Sequence, residues 1–251
     1  FDLGQEVAGA TRFLNRLAPA GKRVEVMQWS GDARPFPAAI AATRGAGLLN
    51  VNGGDSRIDT AIPSLTGVSA IGIAAAGQLQ IYAAAGNEAG YTRNGTADFW
   101  AFRYADTTFR QTDRPRRLKT IDIYYNMYSG EREASVRAVR HLVDQARAQP
   151  IVPVTLADYA RIAEGFYRVS IERVGIGRFR IHDRGALQTM RFDVPEDFAL
   201  DALCSTGVLG ARRINDSLYI ALDPAVAVPE LCVTLSPQPF SGALLIQSRW
   251  P

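Results

Sequence analysis

Apolar residues recur at Val7, Ala10, Phe13, Leu14 and Leu17, the spacing of one helical face, and predict a helix from Leu3 to Leu17 that Pro19 to Gly21 stops. Val24, Val26 and Trp29 then read as a buried strand broken by Ser30-Gly31-Asp32. A second helix is expected from Pro37 to Arg44, closed by Gly45 and Gly47, and a short strand from Leu48 to Val51 ends in Asn52-Gly53-Gly54-Asp55. The alternation returns at Ile121 to Tyr125, a β-branched and aromatic run. After it, Ser129 with Glu131 and Glu133 opens a helix whose Val136, Val139 and Val143 share a face. Ile151 to Val154 reads as one more strand, and Thr155 with Asp158 as the capping box of a helix reaching about Phe166. Strands separated by helices imply parallel pairing, with ligands bound at the loops that follow the strand ends.

Beyond residue 166 the period changes from helical to alternating. Tyr167 to Arg173, Phe179 to His182, Leu187 to Phe192, Ser217 to Leu222 and Leu231 to Leu235 are separated by breaks at Gly175 to Gly177, Gly185, Asn215-Asp216 and Asp223-Pro224. The expected fold class is therefore α/β: a parallel-strand α/β domain over residues 1–165, then a small antiparallel β-sandwich over 166–251.

Composition changes this picture little. A chain of 251 residues with 47% hydrophobic and 21% charged positions is long enough for two cores and is not that of a disordered protein. The net charge of +3 is spread along the chain, and the densest basic run, Arg114 to Lys119, is interrupted by Pro115 and reads as a solvated loop; no nucleic-acid partner is expected. Pro63, Ser64, Thr66, Ser69 and several glycines interrupt the apolar stretch Ile62 to Ile81, so no membrane span is expected. Cys204 and Cys232 fit either one disulfide or two buried thiols.

Polar residues gather just after the expected strand ends: Trp29-Ser30-Gly31-Asp32, Asn50 to Asp55, Asn87-Glu88 and Tyr124-Tyr125-Asn126. In a barrel of parallel strands these ends share one mouth. Tyr91 and Tyr128, in glycine-bearing polar loops, are the aromatic residues best placed to stack on a sugar ring, whereas Trp100 and Phe102 read as core. The histidines, His141 and His182, are not spaced as a metal pair, and no nucleophile-elbow motif is present.

The segments WSGDARP, GLLNVNGGDSR, IPSLTGV, NEAGYT and IYYNMYSGE, with RIAEGF from Arg161 and GALQT from Gly185, resemble the deacetylase region of PelA-like bifunctional hydrolase and deacetylase proteins. The order from the first helix to Asp55 is similar to the second half of the NodB-type polysaccharide deacetylase domain. The resemblance implies a partial (β/α) barrel, a periplasmic location, and removal of acetyl groups from an N-acetylhexosamine exopolysaccharide by a metal-held water, zinc being the expected divalent ion. It places the family's metal-binding aspartate and histidine pair before Phe1. This chain alone is accordingly expected to hold no catalytic metal, and an upstream segment to complete the barrel. An exopolysaccharide export complex is the other partner it implies.

Within this alignment Asp32 and Asp55 take orienting or base-tuning roles, Trp29, Asn52, Tyr91, Tyr125 and Tyr128 shape the sugar cleft, and Arg34-Pro35 offers a second alignment around Asp32. Asn126 stands where the family has a histidine acid. An asparagine donates a hydrogen bond but delivers no proton near neutral pH. The alternative reading is a catalytically degenerate module that binds carbohydrate or docks an export complex.

Overall fold

The computed structural model describes residues 2–30, 33–53, 55–83, 86–113, 117 and 119–235. The chain divides into two compact units between Ala160 and Arg161, and the fold is mixed: one sheet with parallel strands in the first unit, antiparallel sheets in the second, and no closed barrel among the described residues.

In the first unit a π-type turn over Gly4–Gly9 leads into α1 (Ala10–Leu17). The expected apolar stripe forms, but only Val7 is buried: Phe13, Leu14 and Leu17 are 52%, 49% and 67% exposed. The helix is tied down instead by a polar contact, the Val24 N–H donating to Asn15 Oδ1 at 2.7 Å. This leads to β1 (Val26–Trp29). Helix α2 (Pro37–Gly45) starts with proline at a position whose N–H has no helical partner. It ends with Gly47 in the left-handed region (φ 76°), where the Gly47 and Leu48 N–H groups cap the carbonyls of Arg44 and Thr43. That turn feeds β2 (Leu49–Asn52), which pairs parallel with β1, Trp29 opposite Asn52.

The stretch read only as too polar for a membrane contains a hairpin, β3 (Gly72–Ala75) and β4 (Gln78–Tyr82), turning on Ala76 and Gly77, both at positive φ. β4 lies parallel to β2 with Asn52 opposite Tyr82, giving the sheet order β1-β2-β4-β3. Side chains alternate across a strand, so these registers place Val26, Leu49 and Val51 on one face and Trp29, Asn50, Asn52, Gln80 and Tyr82 on the other. The apolar face packs on Ala83 and on Leu156, Tyr159 and Ala160.

A second core gathers Tyr91, Phe102, Ala105, Phe109, Ala138 and Leu142. It joins the 3-10 segment Phe99–Tyr104, α3 (Ala105–Gln111) and α4 (Glu133–Arg147) beside the short parallel pair β5 (Gly86–Asn87) and β6 (Ile123–Tyr124). In α4 the buried positions are Ser135, Ala138 and Leu142, one residue back from the expected Val136, Val139 and Val143. A one-residue offset rotates a helix face by about 100°. The small side chains face the neighbouring elements, and the valines flank them half-buried.

The expected strand at Ile151 to Val154 is an exposed connector. Pro150 precedes the stretch and Pro153 lies within it, where it removes a ladder donor. Helix α5 (Leu156–Arg168) then starts on the anticipated Thr155 cap, whose Oγ1 accepts from the Asp158 N–H at 3.1 Å and donates to Asp158 Oδ2 at 2.7 Å. The division between the units falls inside this helix. Of the basic run, Arg117 and Lys119 are described, and both bond inward, to the Phe109 and Ser69 carbonyls, rather than lying in a fully solvated loop. No described helix is long and apolar enough to cross a membrane.

The second unit contains β7 (Ser170–Gly175), β8 (Arg178–His182), β9 (Thr189–Phe192), β10 (Phe198–Leu200), β11 (Val208–Ile214), β12 (Ser217–Leu222) and β13 (Glu230–Leu235). They form two antiparallel sheets, β10-β13-β8-β7 and β11-β12-β9. Ile181, Leu231 and Val233 from one sheet meet Met190, Leu218, Ile220 and Leu222 from the other in one sandwich-like core. Each fully buried aliphatic side chain there contributes about 2–3 kcal/mol relative to exposure. Cys204 and Cys232 are joined in a disulfide, Cα atoms 5.9 Å apart, pinning the turn after β10 to β13.

The disulfide closes a loop of 28 residues, for which chain entropy predicts about 3–4 kcal/mol of stabilisation. Reduction, or paired replacement by alanine, should lower hydrogen-exchange protection of the β12 and β13 amides by a factor of several hundred. Unchanged protection would contradict it.

Candidate functional site

Strands β1, β2 and β4 run the same way, so Trp29, Asn52 and Tyr82 end them at one edge of the sheet. Side-chain contacts connect the loop after β2 to the ends of β5 and β6. Asn87 Nδ2 donates to Asp55 Oδ1 at 2.9 Å, and its Oδ1 accepts from the Ala89 N–H at 3.0 Å. With one end donating and the other accepting, the orientation of that amide is fixed by its partners.

The next residue, Glu88, is a carboxylate with 1% exposure. Its Oε2 accepts from the Asn126 N–H at 3.3 Å and from the buried Ser129 hydroxyl. Its Oε1 is buried without a hydrogen-bond partner. Asn126 Nδ2 in turn donates to Tyr128 Oη at 3.0 Å. Tyr128 lies against Gly95, at φ 76°, where an added Cβ would come within 2.5 Å of the phenol oxygen. Two polar groups thus meet at consecutive residues, Asn87 bonded to Asp55 and Glu88 bonded to Ser129 and Asn126, with Asn126 reaching on to Tyr128.

The structure therefore brings together three of the expected site residues, Asp55, Asn126 and Tyr128. Trp29 is half-buried beside Asn52 in register, its indole Nε1 buried without an acceptor. Asn52 is completely buried and donates to the Ala33 carbonyl, so its amide closes the loop after β1 instead of facing a ligand. Tyr91 is a core residue: its hydroxyl is 3.0 Å from Thr108 Oγ1, its ring lies 5.9 Å from Phe102, and the Arg57 guanidinium covers it at 4.4 Å. The glycine next to Tyr91 marked a turn, but the turn points the ring inward. Tyr125 is 52% exposed. Asp32 lies outside the described residues.

Two acidic groups in and near β5 and β6 were not singled out from sequence. Glu88 belongs to a strand-end polar pair that was visible, but its burial was not. Asp122 sits between Ile121 and Ile123, which pack on the second core. Burial pushes its carboxyl up to about 6. The signal was a lone aspartate in a β-branched run.

Beside this cluster, Trp100 carries Arg103 at 4.9 Å and Arg137 at 5.1 Å, with His141 edge-on at 6.1 Å, and Arg132 covers Phe99 at 4.9 Å. These arginines form no ion pair among the described residues. The donor set does not fit a hydrolytic zinc ion. Asp55 and Glu88 are the carboxylates of these two polar groups, His141 is turned to Trp100, and His182 bonds Glu172 at 3.1 Å in the other unit. Among the described residues no three His, Cys, Asp or Glu side chains converge.

Burial raises the Asp122 carboxyl from 3.8 to about 6 in the folded state, so protonation favours folding. That contribution is complete below about pH 4 and is lost as the pH rises through about 6. Asp122→Asn should be near neutral at pH 4 and stabilising by up to about 3 kcal/mol at pH 8, read from urea titrations at the two pH values. A pH-independent effect would show that the carboxyl titrates normally. Glu88→Ala strands the Asn126 N–H and the Ser129 hydroxyl; it should cost about 2–4 kcal/mol and speed amide exchange at Asn126.

Comparison of the chain with protein-family models, with curated proteins and with solved structures found no match.

Proposed function

We propose that the first unit is part of a NodB-type (β/α) barrel of a PelA-like polysaccharide N-deacetylase, acting extracytoplasmically on an N-acetylhexosamine polymer. The observation that carries this reading is the pair of polar groups, Asp55 with Asn87 and Glu88 with Ser129, Asn126 and Tyr128, which adjoin at Asn87-Glu88 and link the carboxyl end of one parallel strand system to that of another. Ligands of parallel α/β folds bind at that end.

In this reading the Asn126 side-chain N–H and the Tyr128 hydroxyl present donors toward an acetamide oxygen, Asp55 accepts from a sugar hydroxyl or orients the attacking water, and exposed Tyr125 offers a ring face. Glu88 acts through others: it holds the backbone of Asn126 and the hydroxyl of Ser129. Zinc would supply the activated water in the family. The residues described here do not compose its ligand set, and no step is assigned to it. The further partners are an upstream segment and an export complex.

A specific observation favours a second reading, a noncatalytic binding or docking module. Asn126 supplies no proton, and the arginines stacked on Phe99 and Trp100 form a cationic aromatic platform beside the cluster.

Titrating the isotopically labelled chain with N-acetylhexosamine oligosaccharides should shift the amides of Asn87, Asn126 and Ser129. Asp55→Ala should weaken binding about tenfold, roughly 1.4 kcal/mol. The absence of shifts at these amides would overturn the reading. Acetate assayed in the same samples separates its two forms, since binding with acetate release supports the deacetylase and binding without release the docking module.

A further inference from the structure

We propose that the cleft between the C-terminal half of α5 and the loop after β8 binds an amine-bearing sugar, its ammonium held by the Asp183 carboxylate. The proposal rests on reading the protein as a handler of amino-sugar polymer, and names a second place on it where such a sugar binds.

The two sides of the cleft lie in and just beside RIAEGF and GALQT, segments the strand-end cluster does not use. Arg161, Glu164, Gly165 and Arg168 follow the three-, four- and seven-residue spacing of one helix face, and Asp183 and Gly185 supply the opposite wall. The open cleft has a volume of about 420 Å³, within the roughly 300–1,000 Å³ of small-molecule sites. No aromatic side chain is among its described lining residues, so recognition there is by charge and hydrogen bonding rather than ring stacking.

The walls are built to stay in place. Arg184 is buried, and its guanidinium donates to the carbonyls of Leu187 (2.8 Å), Asp223 (2.7 Å) and Val226 (2.5 Å). Its neighbours Asp183 and Gly185 stand at φ 54° and 50°, and both are exposed. Gly165 lets the helix rest directly on this loop, for a Cβ there would fall on the Arg184 carbonyl.

The charges inside decide the ligand. Glu164 and Arg168 face each other at 3.6 Å, and Arg161 has partners of its own. Asp183 makes no side-chain hydrogen bond or ion pair among the described residues. The unengaged charge is therefore negative, and a cationic ligand pairs with it. The guanidinium N–H groups are donors only, matching sugar hydroxyl oxygens around the ammonium. A hexosamine with a free amine has this complement, and acetylation would remove the positive charge that Asp183 takes.

The test uses the full chain, isotopically labelled, titrated separately with glucosamine oligosaccharides and with their fully N-acetylated counterparts. The amine-bearing sugar should shift the amides of Gly165, Asp183 and Gly185. Asp183→Asn, which keeps a residue tolerant of left-handed backbone, should weaken that binding at least about tenfold without altering the β-sheet amides. No shifts at these positions, equal binding of the acetylated sugar, or wild-type affinity in Asp183→Asn would overturn the proposal. The acetylated oligomers report separately at Asn87, Asn126 and Ser129. Silence there with binding at Asp183 sinks the strand-end reading alone, and the converse sinks the cleft alone.

Discussion

A carboxylate taken out of water must be met by donors, and in this chain that requirement organises the carboxyl ends of the parallel strands. Glu88 has almost no exposure, so the turn after β6 must present the Asn126 N–H and the Ser129 hydroxyl to it. Those two bonds fix where Asn126 starts, hence where its amide meets Tyr128, and Gly95 is needed to seat the phenol. On the other side Asn87 spans to Asp55. Take away the buried carboxylate and the turn after β6 loses its tie to the Asn87-Glu88 pair.

The sheet beneath is unusual in the chemistry of its second face. The register that buries Val26, Leu49 and Val51 on one side necessarily turns Asn50, Asn52 and Gln80 to the other, and all three are buried there. Asn50 reaches the Leu79 carbonyl with its Nδ2 at 3.2 Å, while its Oδ1 and Gln80 Nε2 have no partner. Neutral amides are tolerated in such a place where charged groups would not be, because an unmet amide group costs about 1–3 kcal/mol and an unmet charge more.

How much of this was legible follows from what each feature depends on. Strand and helix bounds set by local chemistry came through: the Pro37 start and Gly47 stop of α2, the Thr155 cap of α5, and the alternation of Ser217 to Leu222. Features set by distant partners did not. Nothing local in Val208 to Ile214 marks a strand, since Gly210, Arg212 and Arg213 spoil its alternation. Arg213 is there to reach the carbonyls of Val194, Pro195 and Phe198. Tyr91 read as a ligand residue because its turn was visible and the Arg57 lid over it was not. At the site, Asp55 and Asn126 were legible as polar residues after strands, whereas Glu88 and Asp122 matter through burial, which only the fold supplies.

The two arginines that knot the loops of the antiparallel unit, Arg184 and Arg213, bond almost entirely to backbone carbonyls. A guanidinium keeps its proton throughout the range in which proteins fold, and a peptide carbonyl has none to lose. Acid and mild alkali therefore leave these knots alike, unlike a tie made through a carboxylate or an imidazole. Loops fastened in this way hold one geometry from one compartment to the next and carry no switch.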